Sequence, residues 1–221
     1  MADVNRLLDE SVAAEEYIID EDVASMKIDL SQVDFEALKE KFDKGRKHSL
    51  AERLKALLSD KLAMMIELNR SRMDYLERFQ QMIAEYNAGA MNVEEFFRRL
   101  VEFARELKAE EQRAISENLS EEELAVFDLL TKPEMKLTKK EQLQVKNAAR
   151  DLLEKLKNEK IVLDWRKRQQ SRAQVRQAIE QILDEELPPV YDRNVFTRKC
   201  DMIYQHIYDN YTGPNQSIYV A

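Results

Sequence analysis

Apolar positions recur every three or four residues along most of the chain, a spacing that predicts helices almost throughout. The longest run starts at Ser49 and passes through Leu50, Leu54, Leu57, Leu58, Leu62, Met65, Ile66, Met73, Leu76, Phe79, Ile83 and Tyr86, with spacings of mostly three and four and one gap of seven. Neither proline nor glycine interrupts it before Gly89. One very long helix near residues 49–88 is therefore expected, roughly 55–60 Å long at ~1.5 Å per residue. Met64, Met65, Met73 and Met82 suit irregular core packing better than a promiscuous peptide groove.

Other elements announce themselves at their ends. Residues 3–19 read as a short helix and residues 21–34 as a connector. The next helix starts at Asp34 and stops at Gly45, a residue suited to the left-handed position past a helix end. Asn92 with Glu95, Ser120 with Glu123 and Thr138 with Glu141 have capping-box spacing. The last of these opens a helix expected to bury Val145, Ala148, Ala149, Leu152, Leu153 and Leu156. Asp164 is placed to cap a helix from Trp165 to about Asp184, which Pro188-Pro189 ends. A final helix runs from Val195 to Tyr211, and the tail "TGPNQSIYVA" is either loose or a short extended piece. The expected fold is all-α, an elongated multi-helix bundle. The polar stretch "LKAEEQRAISENLSEEE" suggests two helical parts, 1–118 and 119–221.

Composition agrees. The chain is 44% hydrophobic and 35% charged with only 3 Gly, and blocks of alternating β-branched residues are nearly absent. No apolar run approaches the ~18 residues of a membrane span. The acidic start "MADVNRLLDESVAAEEY" lacks a signal segment, and a single cysteine, Cys200, forms no internal disulfide; together these fit a cytoplasmic protein. A net charge of −8 argues against wholesale wrapping of nucleic acid. Yet Lys160, Arg166, Lys167, Arg168, Arg172 and Arg176 face a single acid, Asp164, within their stretch.

Few residues invite chemistry. His48, His206 and Cys200 show no metal-ligand spacing, and Cys200 and His206 diverge by roughly 120° on one helix. Cys200 reads as a small buried hydrophobe. Gly45, Gly89 and Gly213 are too scattered for a phosphate loop. Glu94, Glu95, Glu110, Glu111 and Glu121 to Glu123 read as helix starts and wet faces. No catalytic residue, metal site or cofactor is expected within these residues. The basic stretch opposes the dipole of its own helix, so Arg166, Lys167, Arg168, Arg172 and Arg176 suggest an acidic counterpart. Contact within the chain or with another protein, contact with a DNA backbone, and a plain solvated face all remain open. Trp165 reads as a core or interface anchor rather than a base-stacking platform. Tyr191, Tyr204, Tyr208 and Tyr211 suit a helix edge covered by a partner or an ordinary core edge.

The stretch "VLDWRKRQQSRAQVRQAIEQILDEELPPVYDRNVFTRKCDMIYQHIYDNY" resembles the C-terminal helical region of the restriction (motor) subunit of type I restriction–modification enzymes. The Leu-Asp-Trp-Arg piece, Arg-Ala-x-Val-Arg, Leu-Pro-x-x-Tyr and Ile-Tyr-x-His-Ile-Tyr carry the likeness, most specifically over residues 161–211. Trp165, Arg166 and Lys167 match that family's helix start; Tyr191 and His206 match its closing turn and helix. The resemblance implies a piece of a much larger protein whose Mg2+-dependent nuclease and ATP-driven DNA translocase lie elsewhere. It assigns this piece to holding the motor subunit on the methyltransferase and specificity subunits and bracing the DNA path. It gives no residue a catalytic role.

Overall fold

A computed structural model describes residues 33–133 and 135–219. The helix expected over residues 3–19 and nearly all of the connector after it lie outside these residues. Among the described residues the chain is α-helical apart from one two-stranded hairpin. The described residues fall into two compact units, those within Met1–Lys61 with Ala84–Lys108, and those within Leu62–Ile83 with Ala109–Ala221.

The first unit opens on α1 (Phe35–Lys44), where Asp34 Oδ1 accepts the N–H groups of Glu36 and Ala37 at 3.0 and 3.1 Å. The helix stops at Gly45, but not through a left-handed residue, because Gly45 is extended (φ −120°). Glycine is needed there for another reason: a Cβ would sit 2.7 Å from the carbonyl oxygen of Lys41. The remaining segments come from α2 (Lys47–Leu68), the end of α3 (Met73–Asn87) and α4 (Val93–Glu111). The left-handed glycine is Gly89 (φ 72°), just past α3. Within this unit Phe42 stacks on Phe97 at 3.8 Å and Tyr86 on Phe96 at 4.0 Å between ring centres. Asn92 caps α4 by accepting the Glu95 N–H at 2.9 Å. The Glu95 carboxylate turns to Arg98 and Arg99 instead of completing the box.

In the second unit the long apolar run resolves into α2 and α3 joined by a 3-10 turn, Arg70–Arg72. The interruption falls in the gap between Ile66 and Met73. Asn69 leaves helical geometry (φ −143°, ψ 100°), and its side chain accepts the Ser71 N–H at 3.0 Å. A single turn, α5 (Arg113–Ser116), leads to α6 (Glu121–Thr131), α7 (Lys139–Lys155), a π-helical turn (Leu156–Lys160), α8 (Gln169–Glu186) and α9 (Arg193–Asn210). Both boxes expected here form, Ser120 with Glu123 on α6 and Thr138 with Glu141 on α7. Helix α6 is buried nearly all round, which marks it as this unit's central helix. Helix α7 buries five of the six residues predicted for it, Val145, Ala148, Ala149, Leu152 and Leu153, and the sixth, Leu156, is buried in the π turn that follows. Each such leucine contributes about 1.5–3 kcal/mol on burial.

The helix expected from Trp165 begins instead at Gln169, and the residue at its cap position, Arg168, makes no capping side-chain bond. Asp164 adopts φ 56° and opens a turn, its carboxylate facing Lys167 at 2.8 Å rather than any helix end. That turn drops Trp165 into the core, fully buried. The tail takes the extended alternative: β1 (Tyr211–Gly213) pairs antiparallel with β2 (Gln216–Ser217), Tyr211 opposite Ser217.

Candidate interaction surface

The five basic residues singled out above have different surroundings. Arg166 Nε donates to the carbonyl of Tyr211 at 3.0 Å and its Nη2 to that of Asp209 at 2.9 Å. A cation there suits the carbonyl end of α9, which explains a charge that α8 itself disfavours. Arg172 Nη1 donates to Arg166 O at 2.7 Å, and Arg176 Nη1 to Asp201 Oδ1 at 2.5 Å. Lys167 is 79% exposed and lies against Asp164, which it holds below the usual carboxylate range. Arg168 is also exposed.

The aromatic candidates divide similarly. Trp165 is a core residue whose Nε1 donates to Tyr211 O at 2.9 Å. Tyr211 is buried, with its hydroxyl donating to Glu122 Oε1 at 2.6 Å. Tyr191 is buried and donates to Leu130 O at 3.2 Å. Burial pushes both phenols above their ordinary range. Tyr204 and Tyr208 stay half-buried. The Arg176 guanidinium lies 4.3 Å from the Tyr204 ring centre, Tyr204 lies 6.2 Å from Tyr208, and Arg166 covers Tyr208 at 5.4 Å. Arg166, Tyr208, Tyr204 and Arg176 thus form a half-exposed ledge of two neighbouring rings flanked by cations. Each cation–ring contact at such a site is worth about 0.5–1 kcal/mol.

A second polar cluster was invisible in the sequence. Asp128, fully buried, accepts from Asn69 Nδ2 and Ser71 Oγ at 2.9 Å each and from both terminal nitrogens of Arg113. Arg72, also buried, donates to Glu110 Oε1 at 3.0 Å, to Met65 O at 3.2 Å and to Glu121. Arg113 Nε sits 2.9 Å from Glu110 Oε2 without aiming at it, a coulombic contact. Glu110 is therefore no wet face: buried itself, it bridges the buried Arg72 and the half-buried Arg113. Burial works against the charge on Arg72, yet the bonds and charge of Glu121 and Glu110 raise its pKa. Burial likewise opposes ionised Asp128, and Arg113, Lys132 and Asn69 prevail, lowering its pKa. Such paired charges lock geometry, although Arg72 Nη2 is buried without a hydrogen-bond partner among the described residues.

Beside this network a cavity of about 550 Å³ is lined by Arg70, Ser71, Asp128, Lys132, Met202 and His206. His206 is buried, with Nδ1 2.9 Å from Asn210 Nδ2 and Nε2 3.2 Å from the Tyr219 hydroxyl. Burial, with Arg70 nearby, pushes its pKa down to about 4, so it is neutral at pH 7. Burial pushes the Cys200 thiol up to about 12, which removes it as a nucleophile. Among the described residues no group of three or more His, Cys, Asp or Glu side chains is placed to hold a metal ion. Nor is any described helix long and apolar enough to cross a membrane.

The family model described as "Type I restriction enzyme HindI endonuclease subunit-like, C-terminal" matches residues 1–200. The chain is also similar to the putative type I restriction enzyme MjaIXP endonuclease subunit of Methanocaldococcus jannaschii, 25% identical over 207 residues. That match covers 92% of this chain and 20% of the relative, so the chain spans one-fifth of the curated protein it matches. No solved structure matches.

Proposed function

The chain belongs to the type I restriction enzyme HindI endonuclease subunit-like C-terminal family, and from that premise we propose that it is a non-catalytic assembly domain. It docks the endonuclease subunit onto the methyltransferase and specificity subunits and braces the path of the DNA. Nuclease action and ATP-driven translocation, with their ATP and Mg2+, belong to the rest of that subunit, and the complex works in the cytoplasm. One observation carries the reading: Arg72, Arg113, Asp128, Arg166 and Arg172 are bonded to the second unit's own backbone and polar side chains, while the Arg166–Tyr208–Tyr204–Arg176 ledge stays half-exposed. Tyrosine and arginine are the residues that most often dominate protein interfaces.

Sedimentation of the chain with purified methyltransferase–specificity core tests this. The chain should co-migrate, and Tyr204→Ala with Tyr208→Ala should weaken association by about tenfold or more. Co-migration unaffected by that double substitution would remove the ledge from the docking surface.

A further inference from the structure

A second concentration of positive charge lies away from the stretch after Trp165. From Lys132 to Glu141 the sequence holds Lys132, Lys136, Lys139 and Lys140 against Glu134 and Glu141. Lys136, Lys139 and Lys140 are exposed, and so is Arg193 at the first position of α9. Among the described residues none of these four side chains forms an ion pair or hydrogen bond. The two segments are held side by side. Lys199 Nζ donates to the carbonyls of Lys132 and Leu129 at 2.6 and 2.8 Å, and Tyr191 reaches Leu130 O. Met135, Leu137, Val195 and Phe196 pack against one shared core.

Glu141 and Asp192, beside these cations in sequence, already have partners, while Glu180 and Asp184 line one cleft with Arg193. Glu141 accepts from Thr138 N–H and Oγ1, both at 2.7 Å, and Asp192 Oδ1 accepts the N–H groups of Asn194 and Val195 at 2.8 and 2.9 Å. Helix stability does not account for the cations, since Lys139, Lys140 and Arg193 stand in first turns, where positive charge is disfavoured. Helix α6 carries Glu121, Glu122 and Glu123 at the equivalent place. The exposed large apolar side chains on these segments, Leu143 and Val190, are too few for the apolar centre of a protein interface.

We infer that Lys136, Lys139, Lys140 and Arg193 form a contact surface for the phosphate backbone of a nucleic-acid duplex, engaged without reading bases. Long exposed cations with no bonded carboxylate among the described residues fit a regular row of phosphates better than a shaped protein partner. The surface uses none of the residues of the tyrosine ledge, although Arg193 and Arg176 line one cleft, so it stands or falls independently of docking.

Fluorescence anisotropy of a labelled duplex of arbitrary sequence, titrated with the chain across salt, tests it. With about four phosphates contacted, affinity should fall roughly 150-fold between about 50 and about 200 mM salt, a log–log slope near about −3.6. Lys139→Glu with Lys140→Glu should bring that slope to about −1.8 or shallower, and Lys167→Glu with Arg168→Glu should leave it unchanged. Glutamate suits a first turn, so folding is not at risk, and circular dichroism verifies it; Lys→Gln at both positions should act in the same direction. Absence of duplex binding at low salt would overturn the inference, as would a slope indifferent to the reversal. Displacement of the duplex by polyglutamate at equal charge concentration would also overturn it, by reassigning the surface to an acidic protein.

Discussion

Asp128→Asn removes one charge from the buried network and nothing else of comparable size. The wild-type carboxylate accepts from Asn69, Ser71 and both terminal nitrogens of Arg113, and Lys132 lies 3.4 Å away. Asparagine keeps one acceptor oxygen but turns an N–H group toward Asn69, Ser71 or Arg113. It leaves Arg113, 22% exposed, without its main counter-charge. Removing one member of a buried ion pair costs about 3–5 kcal/mol. Lys132, 40% exposed, adds little because solvent screens it. At about 2–4 °C per kcal/mol for a chain of this size, thermal unfolding should fall by about 6–20 °C. Urea denaturation at pH 7 reads the free energy directly. The sign of the pH dependence follows from the lowered pKa of Asp128. Its stabilisation is complete above the unfolded value of about 3.9 and is lost as pH falls through the folded one. The variant should lack that acid limb. A loss below about 1 kcal/mol would refute the view that this network holds the 3-10 turn against α5 and α6.

Other substitutions test other parts of the account. His206→Gln should flatten stability between pH about 6.5 and 4; in the native protein the depressed pKa makes stability fall with pH across that window, by up to about 3 kcal/mol. Parallel unfolding curves for the variant and the native chain would contradict the burial of a neutral imidazole. Trp165→Phe loses the bond to Tyr211 O along with buried area, and should cost about 2–4 kcal/mol by chemical denaturation. Arg166→Ala should destabilise by about 1–3 kcal/mol through the two carbonyls of α9, whereas Lys167→Ala should stay within about 0.5 kcal/mol.

Local grammar made much of the fold legible. Ser120 with Glu123 and Thr138 with Glu141 satisfy their bonds within one turn, so spacing alone locates them. The buried face of α7 follows from helical period. The break at Asn69 left only a faint mark, the polar run from Asn69 to Arg72 between Leu68 and Met73, because its cause is the tertiary bond from Asn69 to Asp128. Asp164 misled for a related reason: a capping residue type adopted a left-handed turn once the indole of Trp165 found the Tyr211 carbonyl. Arg72, Glu110, Arg113 and Asp128 carry the same residue types at the same helical spacing as solvated faces. Only the arrival of other helices distinguishes them. The basic stretch was visible as a charge anomaly, but the acceptors of Arg166 lie more than forty residues away at the end of α9.

Co-sedimentation of a complete endonuclease subunit with the methyltransferase–specificity core, with this region present or deleted, tests the assembly role most directly. The intact subunit should travel with the core, and the deleted one should travel alone while remaining folded. A deleted subunit that joins the core undiminished would contradict the account.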